Sequence, residues 1–119
     1  MTRPATLVVD HDENVAATLR ATLAHHDIDI ATARDAATAK QLLDEGCFCG
    51  LVLDLEDGMD VLSHVASRRM TIPTVLVTNT LPPAARELFV DEHVKLVFPK
   101  SVEPRVLASV VLGLCGIAA

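Results

Sequence analysis

Tryptophan and tyrosine are absent from this 119-residue sequence, and its only aromatics are three phenylalanines. A core must therefore come from Val, Leu, Ile and Ala, and at 50% hydrophobic residues the chain has enough of them for one domain. Positive charge is also scarce. The formal net charge is −6, and the one basic doublet is Arg68-Arg69, which argues against a nucleic-acid-binding surface. The three cysteines, Cys47, Cys49 and Cys115, match no common zinc spacing. Their odd count gives no disulfide framework, so the expectation is reduced, mostly buried thiols in a cytoplasmic protein. No signal peptide opens the sequence. The apolar tail from Val106 to Ala119 falls short of the roughly 20 residues that cross a bilayer, so no membrane span is expected. Repeats, linkers and low-complexity segments are missing too. One domain over residues 1–119 is the expectation.

What the sequence does have is a set of short apolar runs that each lead to a polar residue. Gly50-Leu51-Val52-Leu53 ends in Asp54. Leu7-Val8-Val9 ends in Asp10, with His11 and Asp12 behind it. Val75-Leu76-Val77 ends in Thr78, and Leu96-Val97-Phe98 leads through Pro99 to Lys100. Unbroken apolar runs of this length read as strands buried on both faces, as inside a parallel sheet. Ile28, Ile30 and Thr32 alternate with polar or small residues instead, which suggests a strand nearer an edge.

Between the runs the period changes to that of helices. Val15, Ala16, Leu19 and Leu23 share one face of a first helix, capped by Asp12 or Asn14 and ending near His25-His26. Asp35 caps a second, with Ala36, Ala39, Leu42 and Leu43 inward and Gly46 as its stop. Glu56-Asp57-Gly58 reads as a loop before a third helix marked by Val61, Leu62, Val65 and Ala66. Thr80 and Leu81-Pro82-Pro83 introduce a short fourth helix through Leu88 and Phe89. Ser101 caps the last, whose stripe is Val102, Val106, Leu107, Val110, Val111 and Leu114. Such alternation implies a doubly wound (βα)5 domain with right-handed crossovers. Edge character in the second and fifth strands suits a flavodoxin-like parallel sheet of order 2-1-3-4-5.

In that fold Asp10, Asp54, Thr78 and Lys100 leave the carboxyl ends of their strands at one edge, where open α/β sheets bind ligands. Each has an ordinary reading as a turn, cap or solvated residue. Together they have a chemical one. A carboxylate is a nucleophile able to form an acyl phosphate. Attack on phosphorus by an anion calls for positive charge, commonly Mg²⁺ on carboxylates together with Lys or Arg. Asp10 and Asp12 are placed to hold such an ion beside Asp54. Lys100 is suited to pairing with Asp54 and Thr78 to a phosphoryl oxygen.

The sequence resembles the receiver domain of two-component response regulators from Leu7 to about Leu114. Val8-Val9-Asp10-His11-Asp12-Glu13 is similar to that family's acidic segment, and Leu51-Val52-Leu53-Asp54 to its phosphoacceptor strand. Gly58-Met59-Asp60 resembles the loop that follows. Pro73-Thr74-Val75-Leu76-Val77-Thr78-Asn79 resembles the switch-threonine strand, and Phe98-Pro99-Lys100 the segment with the buried lysine. The resemblance implies a signalling domain rather than an enzyme. Asp54 would accept a phosphoryl group from a histidine kinase or phosphotransfer protein, with Thr78 and Lys100 assisting and Mg²⁺ on Asp10, Asp12, Asp54 and Glu56. It also implies a partner or dimer surface on the fourth helix, fifth strand and fifth helix, where Leu81 and Phe89 fall.

Four positions depart from the family pattern. His11 stands where a metal-binding carboxylate is usual. The loop after Asp54 is one residue short and lacks its proline. Val97 occupies the aromatic switch position, and Ser101 rather than proline follows Lys100. Imidazole suits Mg²⁺ poorly, so weak Mg²⁺ binding is expected, with an imidazolium supplying part of the missing charge or with His11 turned to solvent. Two alternatives stay open. One is a degenerate receiver that docks a partner without phosphorylation. The other is a hydrolase with Asp10 as nucleophile, like haloacid-dehalogenase-type phosphatases, although no later acidic pair follows the lysine.

Overall fold

The computed structural model describes residues 3–11, 14–78 and 94–117. Its strands are β1 (Ala5–Val9), β2 (Asp29–Ala33), β3 (Gly50–Asp54), β4 (Thr74–Thr78) and β5 (Val94–Pro99). The helices among the described residues are α1 (Asn14–Thr22), α2 (Ala36–Glu45), α3 (Leu55–Ser67) and α4 (Pro104–Leu114). The expected helix through Leu88 and Phe89 lies outside the described residues.

All strand pairs are parallel, and the order is β2-β1-β3-β4-β5. The apolar runs explain the order. Every residue of β3 and β4 is buried, as central strands covered on both faces must be. Only Ala33 of β2 and Val94 of β5 are buried, and these two strands form the edges.

Alternation along the strands divides the core into two layers. Leu7, Val9, Leu51, Leu53 and Leu76 pack with Ala39 and Leu43 of α2 and Val61, Leu62 and Val65 of α3. Val8, Val52, Val75 and Val77 pack on the other face with Ala16 and Leu19 of α1 and Leu107, Ala108, Val111 and Leu112 of α4. Burying one such aliphatic side chain stabilises the fold by about 1.5–3 kcal/mol. The fully buried part of each layer is therefore aliphatic, with Phe48 and Phe98 packed partly buried against them.

Local signals behave as capping chemistry predicts at α2, where Asp35 Oδ1 accepts from Thr38 N at 2.7 Å and Gly46 follows the last turn. Elsewhere the structure corrects the sequence expectations. The first helix stops at Thr22 rather than near His25-His26. Residues 56–58 are not a loop, because α3 begins at Leu55, directly after Asp54. Gly58 marks where this helix meets the sheet. A Cβ there would lie 3.4 Å from Leu53 Cβ and 3.5 Å from Leu76 Cδ2, so the helix sits close on the sheet. Ala66 is exposed rather than inward. At α4 the N-cap is Glu103, not Ser101, and it makes no side-chain cap bond. Pro104 follows at a position where a missing N–H costs nothing.

The buried face of α4 is also turned from the expected stripe. Leu107, Ala108, Val111 and Leu112 are buried, while Val106 is 43% exposed. The helix is apolar almost all round, so its period cannot choose a face. Met70 packs partly buried against the core, and Met59 is exposed. His64 is mostly buried and bonds Asp44 Oδ1 through Nε2 at 2.9 Å.

The largest correction concerns cysteine. Cys49 and Cys115 are joined by a disulfide with Cα atoms 4.8 Å apart, and Cys47 is free and exposed. The expectation of reduced thiols fails for this pair, and the expectation of burial fails for Cys47. Parallel topology brings the start of β3 and the end of α4 to the same edge of the sheet. There Gly50 admits Leu114, whose Cδ1 would stand 3.3 Å from an added Cβ. Among the described residues no helix is long and apolar enough to cross a membrane.

Candidate functional site

Pairing register builds the site. Val9 of β1 is opposite Leu53 of β3, so Asp10 and Asp54 are the next residues of neighbouring strands. Val77 is opposite Asp54, which puts Thr78 one step further along β4. Thr78 in turn is opposite Pro99 of β5, and Lys100 follows. Backbone bonds fix both ends of this row. Asp10 N donates to Ala33 O at 3.0 Å, and Lys100 N donates to Thr78 O at 2.9 Å.

The row is buried and charged. Asp10 and Asp54 are each 4% exposed, and Thr78 is 5% exposed. Carboxylates are rarely buried this deeply without partners. Lys100 supplies one, with Nζ 2.9 Å from Asp54 Oδ2 and 3.7 Å from Asp10 Oδ1. His11 is on the outer side of the pocket. Its Nδ1 is 3.8 Å from Asp54 Oδ2, and its side chain is 53% exposed. The ring is therefore turned into the pocket mouth rather than away from it.

The structure thus brings Asp10, Asp54, Thr78 and Lys100 to one edge, as the sequence required. Asp12 lies outside the described residues. Glu56 is in the first turn of α3, and its side chain is not among those described. Asp10, His11 and Asp54 each offer one ligand atom, and these atoms all lie within 4.8 Å of one another. His11 is a donor that sequence reasoning treated as a departure and as a source of compensating charge, not as a ligand. The signal for it was its position between two acids.

Two buried carboxyl groups and an ammonium thus meet at the carboxyl edge of a parallel sheet, where open α/β sheets bind ligands. The family comparison agrees. The response regulator receiver domain model matches residues 6–112, and the chain belongs to that family of two-component signalling domains. No curated protein matches it significantly by sequence.

Solved structures share the fold at low identity. The receiver domain of Francisella response regulator 1452 is 19% identical with a TM-score of 0.81, over 95% of this chain and 97% of that one. A response regulator receiver protein from Burkholderia phymatum is 21% identical with a TM-score of 0.79, over 98% of each chain. Thermotoga maritima TrrA, solved in complex with Mg²⁺-BeF, is 22% identical with a TM-score of 0.75, over 93% of this chain and 98% of that one.

Proposed function

We propose that this chain is one receiver domain over residues 1–119 whose phosphoacceptor is Asp54, supplied by a histidine kinase or phosphotransfer protein. The observation that carries the proposal is the Lys100–Asp54 contact of 2.9 Å beside buried Asp10. In the transfer, an Asp54 carboxylate oxygen attacks phosphorus. The bond from phosphorus to the donor's imidazole nitrogen breaks, and that nitrogen keeps the electron pair. Lys100 steadies the carboxylate before attack and a phosphoryl oxygen after it, where fixed positive charge counts most. The Thr78 hydroxyl, on the adjacent strand end, is placed to donate to another phosphoryl oxygen.

The donor set fits a divalent cation in part. Asp10 and Asp54 offer carboxylate oxygens, whereas His11 offers nitrogen. Bound there, a cation would neutralise charge on the transferring phosphoryl group. Output would pass through the face containing β5 and α4. Leu96 and Val106 are exposed in these two elements, at 41% and 43%, which favours self-association or docking of a partner there. Leu81 and Phe89, also assigned to this face, lie outside the described residues.

The test is incubation with a small acyl phosphate and a divalent cation, followed by intact mass measurement of wild type and Asp54→Asn. One phosphoryl adduct on wild type and none on the variant is expected. No adduct on either protein would favour the degenerate receiver, in which the same fold docks a partner unmodified. Steady turnover that survives Asp54→Asn and stops in Asp10→Asn would identify a hydrolase instead.

A further inference from the structure

We infer that the pocket takes a nitrogen-accepting divalent transition ion of the Co²⁺, Ni²⁺ or Zn²⁺ class in preference to Mg²⁺, with His11 Nδ1 and one carboxylate oxygen each from Asp10 and Asp54 as ligands. The inference refines the cation of the proposed phosphoacceptor pocket. It needs the geometry of that pocket but not the transfer reaction.

Distances come first. Ligands about 2.1 Å from one ion stand roughly 3–4 Å from each other. His11 Nδ1 and Asp54 Oδ2 are 3.8 Å apart, and all three donor atoms fall within 4.8 Å. The His11 ring is 53% exposed and can move without disturbing the core. Asp10 and Asp54 are both buried at the ends of paired strands and form the fixed part of the site. Lys100 already contacts Asp54 Oδ2. That is also the oxygen nearest His11 Nδ1, so a cation there shares it with the ammonium or takes Oδ1 after a turn of the carboxylate.

Donor chemistry then selects the ion. Mg²⁺ demands near-octahedral oxygen ligation and gives up water reluctantly. Imidazole suits zinc, nickel and neighbouring ions. One nitrogen beside two carboxylates suits such ions better than it suits Mg²⁺, and the exposed side of His11 leaves room for water or a phosphoryl oxygen to complete the shell. A carboxylate in place of His11 would make the set all oxygen and favour Mg²⁺. His11 is thus a specificity-determining residue.

Transition ions outbind Mg²⁺ at many nitrogen and oxygen sites whatever the details. The deciding quantity is therefore the change on altering His11, not the raw affinity. Chelator-stripped wild type, His11→Ala and His11→Asp are titrated with CoCl₂ and with MgCl₂ by calorimetry. Ligation is followed by the Co²⁺ visible spectrum and by the His11 ring resonances. Circular dichroism checks each fold. The expected result is Co²⁺ binding weakened about ten-fold or more in His11→Ala, with Mg²⁺ binding little changed and the Co²⁺ spectrum altered. His11→Asp should tighten Mg²⁺ clearly and narrow the preference. Co²⁺ affinity and spectrum unchanged in His11→Ala would overturn the inference, as would unchanged Mg²⁺ affinity in His11→Asp. His11-dependent Co²⁺ binding in a protein that takes no phosphoryl group would uphold the inference while removing the proposed function.

Discussion

Lys100 reaches Asp54 across the end of β4, placing Nζ 2.9 Å from Oδ2. Their strands, β5 and β3, are not neighbours, and two strand spacings come to roughly 9.5 Å. A long unbranched side chain covers that span and still leaves its ammonium within 3.7 Å of Asp10. No shorter cation would serve both acids from this position.

Removing Lys100 should therefore destabilise the fold as well as the site. Taking one partner from a buried ion pair costs about 3–5 kcal/mol. The lysine side chain keeps 18% exposure, which tempers this, so Lys100→Ala should lose roughly 2–3 kcal/mol. Urea unfolding at neutral pH measures it. A loss under about 0.5 kcal/mol, the usual limit for surface changes, would mean that the acids do not depend on the lysine.

A second prediction concerns pH. Asp35 is held below the ordinary carboxylate range by the backbone hydrogen bond from Thr38 and then by the Thr38 side chain. A group with a lowered folded pKa adds stability above its unfolded pKa and loses it as pH falls through the folded value. Asp35→Ala should lower the melting temperature at neutral pH, and the gap to wild type should close under strongly acidic conditions. Asp35→Asn should keep most of the cap without that pH dependence. Melting curves of the three proteins across the acid range check this.

The Cys49–Cys115 bond closes a sequence separation of 66 residues. In the chain-entropy account a loop of that size stabilises by about 4 kcal/mol, and measured values are commonly about 2–4 kcal/mol. Cys115→Ser, or reduction of wild type, should cost that much in denaturant unfolding. Cys47→Ser should change nothing, because Cys47 is exposed and unbonded. Equal stability of reduced and oxidised wild type would contradict the crosslink's role.

The sheet was legible in the sequence because its central strands are covered on both faces, so Leu51-Val52-Leu53 and Val75-Leu76-Val77 run apolar without a break. The row of Asp10, Asp54, Thr78 and Lys100 followed from the strand ends alone. Other features depend on contacts that periodicity does not encode. Glu56-Asp57-Gly58 has turn composition, yet Gly58 is where α3 lies close on Leu53 and Leu76. The orientation of α4 was hidden because nearly all its sides are apolar. The disulfide was hidden because cysteine spacing carries no information about which sheet edge two segments share. His64 has a partner, Asp44, on a helix 20 residues earlier, beyond the reach of any local pattern.

The central claim is that Asp54 itself carries the phosphoryl group. Acyl phosphates are reduced by borohydride to the alcohol, whereas free carboxylates and phosphate esters are not. The most direct measurement is to treat the protein with a small acyl phosphate and a divalent cation, quench with borohydride, and sequence the peptides by mass spectrometry. Conversion of residue 54 to homoserine, dependent on phosphodonor and abolished by Asp54→Asn, is the predicted result. Homoserine at position 10 or at no position, in a protein shown to be folded and loaded with cation, would contradict the account.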